Sequence, residues 1–198
     1  MTIEERLEKL EMELARVMDR REDVVKAKGF VVIDENDKTL AELGVEEGGV
    51  GLLLYDENEK FRAGLGITEG GPVLTLADEN EKFRAGLMVI KDGPVLRLFD
   101  ENGKLRFSLL VGKDGPGLTL LDENDKPRGG LSVSKDGSVL SLSDENGQPR
   151  AGLFVGKGGP MLDLSDENGK TLVFLSETEM GPLLNLIDKK GKVWKAPP

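Results

Sequence analysis

The residues best placed to do chemistry in this 198-residue chain are acidic and evenly spaced. Asp34, Asp56, Asp78, Asp100, Asp122, Asp144, Asp166 and Asp188 stand 22 residues apart, and seven of the eight open the tripeptide Asp-Glu-Asn. Asp and Asn two positions apart, followed by Gly at 103, 147 and 169, have the spacing that begins a calcium-binding loop. Such a loop needs twelve residues and a terminal Glu, which no copy supplies. Each loop also carries a cation four residues on, at Lys38, Lys60, Lys82, Lys104, Lys126 and Lys170, as a countercharge. Turn formation, with the Asp or Asn side chain bonded to nearby backbone, explains the tripeptide with fewer demands.

A second repeated group is Arg62, Arg84, Arg106, Arg128 and Arg150. A row of guanidinium groups could bind an anionic polymer, but cross-strand pairing of each Arg with a neighbouring hairpin acid accounts for the spacing. The carboxylates are numerous without being special. An active site is a unique constellation in a pocket, and eight near-identical copies offer no unique place. The chain has no His and no Cys. It therefore lacks the commonest general base, thiolate chemistry and the usual transition-metal ligands. No nucleophile elbow, phosphate-binding loop or dinucleotide fingerprint occurs. The expectation is a non-enzyme with no cofactor and no metal.

Charge and composition exclude further classes. A net charge of −10 argues against a nucleic-acid partner. No apolar run is long enough to span a bilayer, and the acidic N-terminus does not read as a signal peptide, which leaves a cytoplasmic or fibre-associated protein as the expectation.

The elements that position these loops follow from the period. Within each 22-residue copy, apolar residues alternate: Leu74 and Leu76, then Leu87; Leu96 and Leu98, then Leu109; Leu118 and Leu120, then Leu131. A period of two is that of a strand with one apolar face. Turn signals separate the strands: the Asp-Glu-Asn loops on one side, and Asp92-Gly93, Asp114-Gly115, Asp136-Gly137 or Gly-Gly pairs on the other. A two-residue loop at Asn80-Glu81 sets Leu76 opposite Ala85 and Leu74 opposite Leu87. A four-residue loop keeps that parity and suits the copies with an acid where a tight turn wants Gly. A loop at Asp92-Gly93 sets Val89 opposite Leu96 and Leu87 opposite Leu98. The fold class is an all-β repeat array, either an antiparallel β-meander closing into a β-prism or a β-solenoid, behind an N-terminal α-helical coiled coil. The aromatics Tyr55, Phe99, Phe154 and Phe174 fall on the other face, in different copies, without forming a platform.

The coil is read from Ile3, Leu7, Leu10, Leu14, Val17 and Val24, a heptad seam with Arg21 at the remaining core position. Leu at a and β-branched residues at d favour three or four strands over a parallel dimer. Thr2 and Glu5 form a capping box. The competing reading is an amphipathic helix packed on the β-domain. The domains are residues 2–25, the coil; 29–170, the hairpin repeats; and 171–198, divergent copies read as a C-terminal cap. One copy cannot bury enough to fold alone, so the apolar face must be shielded by other copies. The oligomerisation residues are therefore the seam residues together with Leu74, Leu76, Leu87, Leu96, Leu98, Leu109, Leu118, Leu120 and Leu131, and the expected partner is the chain itself, as a parallel homotrimer.

A heptad coil feeding a β-repeat rod is similar to the shafts of trimeric viral and phage fibres and of trimeric surface adhesins. The likeness is one of layout: Ile3–Val24 as coil, the 22-residue copies as shaft. It implies a fibre, spacer or attachment role. The alternative is a binding module that contacts a glycan, polyanion or partner protein through the Arg stripe or the C-terminal tip.

Overall fold

The computed structural model describes residues 2–19, 26–46, 49–188 and 190–195. It is an all-β antiparallel meander preceded by one helix. Helix α1 spans Ile3–Asp19. Its capping box is formed: the Thr2 N–H donates to Glu5 Oε2 at 2.7 Å, and the Glu5 N–H donates to Thr2 Oγ1 at 3.2 Å. Val17 lies in the helix but its side chain falls outside the described residues, as does all of Val24. Among the described residues no strand contacts α1; its Ile3 is 83% exposed and its Leu7, Leu10 and Leu14 are exposed too.

The strands run β1 Gly29–Ile33, β2 Thr39–Glu46, β3 Gly49–Tyr55, β4 Phe61–Thr68, β5 Gly71–Ala77, β6 Phe83–Ile90, β7 Gly93–Phe99 and β8 Leu105–Gly112. They continue as β9 Gly115–Leu121, β10 Pro127–Ser134, β11 Gly137–Ser143, β12 Pro149–Gly156, β13 Gly159–Ser165, β14 Thr171–Thr178, β15 Gly181–Ile187 and β16 Val193–Lys195. All sixteen form one sheet in chain order, each strand paired antiparallel with the next. At about 4.8 Å per strand the sheet is roughly 75 Å long. The links are hairpins, so the solenoid alternative is set aside.

Two kinds of hairpin alternate, and both differ from the loops expected. The Asp-Glu-Asn hairpin has neither two nor four loop residues but three. The Asp78 N–H donates to the Lys82 carbonyl, and the Glu81 N–H to the Asp78 carbonyl, at 3.0 Å each. This is a type I turn followed by one left-handed residue. Glu81 takes that position at φ 60°, as Gly103 does at 77° in the next copy. The odd-numbered loop shifts the parity by one, and a β-bulge between Leu76 and Ala77 shifts it back. The register Leu76–Ala85 and Leu74–Leu87 expected from the sequence therefore holds, although the loop that sets it is different.

The second hairpin turns at Lys91-Asp92, not Asp92-Gly93: Ile90 faces Gly93, Val89 faces Pro94 and Leu87 faces Leu96. The pairing moves by two residues from that expected, so the faces are preserved. Gly93 closes the turn at φ 132°, and a Cβ there would sit 2.0 Å from the Val111 carbonyl of the next hairpin. Glycine is thus required twice over, by conformation and by space. Pro94 costs no ladder bond on its far side, since the ladder of β7 with β8 begins one residue later at Val95.

Candidate self-assembly surface

The register lines up the apolar face in three columns. The central one is Leu in every strand from β2 to β15: Leu43, Leu52, Leu65, Leu74, Leu87, Leu96, Leu109, Leu118, Leu131, Leu140, Leu153, Leu162, Leu175 and Leu184, each paired with the next. The column on the Asp-Glu-Asn side alternates small with Leu at Ala63, Leu76, Ala85, Leu98 and again at Leu120, Gly129, Leu142, but Phe107 and Val173 are large residues at small positions. The third alternates β-branched residues with Pro, as in Ile67–Pro72, Val89–Pro94 and Val111–Pro116. Of the strand residues read as oligomerising, Leu74, Leu87, Leu96, Leu109, Leu118 and Leu131 fall in the central column. Leu76, Leu98 and Leu120 flank it.

Among the described residues nothing covers this face. Leu87 and Leu131 are each 49% exposed, Leu76 45% and Leu120 45%. Among the described residues the only hydrophobic side chains that count as buried are Ala77 and Val95, and both lie on the opposite face. The chain exposes 15,196 Å². A compact 21.5 kDa monomer exposes about 9,200 Å². The excess, roughly 6,000 Å², is spread over the helix and both faces of the one-layer sheet.

The central column of the opposite face is smaller and more polar: Gly86, Arg97, Ser108, Thr119, Gly130, Ser141 and Gly152 lie at successive positions across it, while Val73, Met88, Val95 and Leu110 pair in the column beside it. Its aromatics are not all scattered. The bulges turn Phe61 and Phe83 onto this face, where Tyr55, Phe61 and Phe83 meet edge to face at 6.5 and 6.4 Å. With Leu53, Gly64, Val73 and Thr75, Phe61 and Phe83 line an open groove of about 400 Å³ that has no titratable lining residue. The sequence reading missed this ladder because strict alternation placed Phe61 and Phe83 with the leucines. The signal that could have found it is the fourth loop residue, Glu or Gly, which marks a three-residue loop with a bulge.

The Asp-Glu-Asn edge is satisfied internally. Asp78 Oδ1 accepts the Asn80 N–H at 2.8 Å and the Lys82 N–H at 3.1 Å, and the same pair of bonds recurs at each of the eight loops. The other carboxylate oxygen takes the Arg of its own hairpin, not of a neighbouring one: Arg62–Asp56 at 3.3 Å, Arg84–Asp78 at 3.8 Å, Arg128–Asp122 at 3.3 Å and Arg150–Asp144 at 3.1 Å. Arg128 and Arg150 also donate from Nε to the Ser143 and Ser165 carbonyls. The loop lysines do not sit beside their own aspartates but reach onward. Lys38 Nζ donates to the Glu57 carbonyl, Lys60 to Glu79 and Lys82 to Glu101, at 2.7–2.8 Å. Lys104 makes the same bond to Glu123. Lys126 reaches the Glu145 carbonyl and Lys170 the Asp188 carbonyl in the same way, so six loops are tied to the next; the Asp144 loop carries Gln148 in place of Lys.

Backbone N–H bonds from Lys38 and Asn36 hold the Asp34 carboxyl below its usual 3.8, and those from Asn58 and Lys60 do so for Asp56. At Asp122, which is only 8% exposed, burial pushes upward most strongly, yet the two backbone bonds and Arg128 together outweigh it and the carboxyl still falls below 3.8. Among the described residues no acidic cluster is placed to hold a metal ion, and no helix is long and apolar enough to cross a membrane.

The fold and surface define a class: a β-hairpin repeat protein built as a single-layer antiparallel meander. No protein-family model matches the chain, and no curated protein matches it significantly.

Proposed function

We propose that this protein is a non-catalytic structural fibre or spacer, a parallel homotrimeric β-rod nucleated by a coiled coil over residues 2–25. The observation that carries the proposal is the uncovered Leu column, in a chain whose total exposed surface exceeds that of a compact monomer of its mass by ~6,000 Å². A soluble sheet one layer thick needs a second layer on its apolar face, and the chain offers no other layer. Sister copies supply identical columns at identical spacing.

Geometry supports three copies over four. Strands of seven or eight residues are about 25 Å long. Three such sheets around an axis leave about 7 Å from sheet to axis, close to the 5 Å half-spacing of packed sheets, whereas four leave about 12 Å and an unfilled lumen. In the three-sheet prism the central column points at the axis, where a uniform Leu fits. The flanking columns lie in the corners, where the alternation of Ala or Gly with Leu gives room. The a/d pattern of the helix independently favours more than two strands. Sedimentation equilibrium of the full chain tests the reading: a species of three chains is expected, and a folded monomer over the micromolar range overturns it.

A further inference from the structure

The two edges of the sheet are chemically different, and three-fold packing of parallel chains brings unlike edges together, because a cyclic interface is head-to-tail. We infer that the tight-turn lysines of one chain, Lys91, Lys113, Lys135 and Lys157, dock between successive Asp-Glu-Asn loops of the next chain, against the glutamates at the second loop position. This rests on the trimer reading and names how its corners close.

Three observations lead there. First, both edges repeat every two strands, about 9.6 Å, and are offset from each other by one strand, about 4.8 Å. The turn at Lys91 lies between β6 and β7. The loops flanking that level are those joining β5 to β6, with Glu79, and β7 to β8, with Glu101. A turn on one chain therefore meets a gap on its neighbour, and because the periods are equal the geometric fit repeats; the Lys occupies it only in the four central turns, beside Asp92, Asp114 and Asp136 in three of them, and the same position is Glu69 and Glu179 in the flanking copies. Second, the lysines are available: all four are exposed and none makes an ion pair with another described residue. Third, the loop edge keeps a surplus of negative charge of the right kind. Its aspartates are committed to backbone and Arg, and its lysines to backbone carbonyls, so the exposed glutamate side chains are left without an intrachain cation. Those same lysine bonds clamp the Glu79 and Glu101 carbonyls, which holds the glutamates at fixed heights.

The test uses the full chain at low and high salt. Reversing three turn lysines together (Lys91→Glu, Lys113→Glu, Lys135→Glu) is expected to weaken assembly at least about tenfold at low salt, and less at high salt. Reversing Lys157→Glu as well and adding Glu79→Lys, Glu101→Lys, Glu123→Lys, Glu145→Lys and Glu167→Lys to the same chain is expected to restore it, since all four turns then meet loops of the opposite sign on both sides. Assembly unchanged by the lysine reversal, or lost and not restored by the exchange, overturns the corner docking while leaving the Leu face in place. A wild-type chain that is itself a folded monomer overturns the underlying trimer reading instead, so the two failures are separable.

Discussion

The two faces of the sheet share a backbone, a register and a repeat, yet one is uniform and the other varied. Fourteen consecutive strands put Leu at the centre of the apolar face. At the matching positions across the other face stand Gly86, Arg97, Ser108, Thr119 and Gly130. The difference teaches what each face must fit. A solvated face tolerates any small or polar residue. On the proposed trimer reading, the Leu face would interdigitate with copies of itself around an axis, with one shape to match in every layer and little tolerance of change.

The largest expected effect comes from breaking the uniform face. Leu96→Asp with Leu118→Asp places two charges per chain into the proposed core, each costing several kcal/mol if left unpaired. Assembly and the β-sheet circular dichroism signal are both expected to be lost at micromolar concentration. The matching double change on the other face, Thr119→Asp with Ser141→Asp, likewise two strands apart, is expected to leave both near wild type.

The second largest comes from removing residues 1–25. A parallel coil raises the effective concentration of the strands it joins. Its loss is expected to move the thermal midpoint of the shaft down and make it steeply dependent on protein concentration. A midpoint independent of concentration would show that the helix does nothing for assembly.

The two hairpin types give a finer contrast. Gly93→Ala combines a left-handed φ with a Cβ 2.0 Å from a carbonyl, and a loss of about 1–3 kcal/mol or more is expected in urea unfolding. Gly103→Asp meets only the conformational penalty, since no atom lies within 4 Å of its Cβ and Asp37 and Asp125 already occupy the equivalent position. About 1 kcal/mol or less is expected there.

The smallest effect is on pH dependence, and it belongs to the loops alone. Seven of the loop aspartates have carboxyls below 3.8, from Asp34 through Asp166. A lowered value in the folded state means the contribution is complete above 3.8 and disappears as pH falls through the lowered values. Thermal midpoints are therefore expected to be level from pH 7 to about 4.5 and to drop below pH 3.8. Asp100→Asn should shrink that drop in proportion to one loop among seven.

Much of this was legible in the sequence, and the reasons are specific. The 22-residue spacing, the alternation of Leu74, Leu76 and Leu87, and the capping box at Thr2 and Glu5 all report local geometry that the structure repeats. Pairings such as Leu76–Ala85 were readable because face parity constrains register more tightly than it constrains loop length. For the same reason both loops were misread: a two-residue loop, or a three-residue loop with a bulge, satisfies the same parity. The lysine ties from Lys60 to Glu79 and from Lys82 to Glu101 were out of reach, because they join copies 19 residues apart and depend on where the loops stack. The aromatic ladder was hidden behind the bulges that turn Phe61 and Phe83 over.

The central claim is that the Leu column is covered by sister chains, and mass in solution tests it most directly. Sedimentation equilibrium on the intact chain, with circular dichroism on the same sample, should return β-sheet structure in a particle of three 21.5 kDa chains, about 65 kDa. A β-structured species of 21.5 kDa that persists as concentration rises would contradict it.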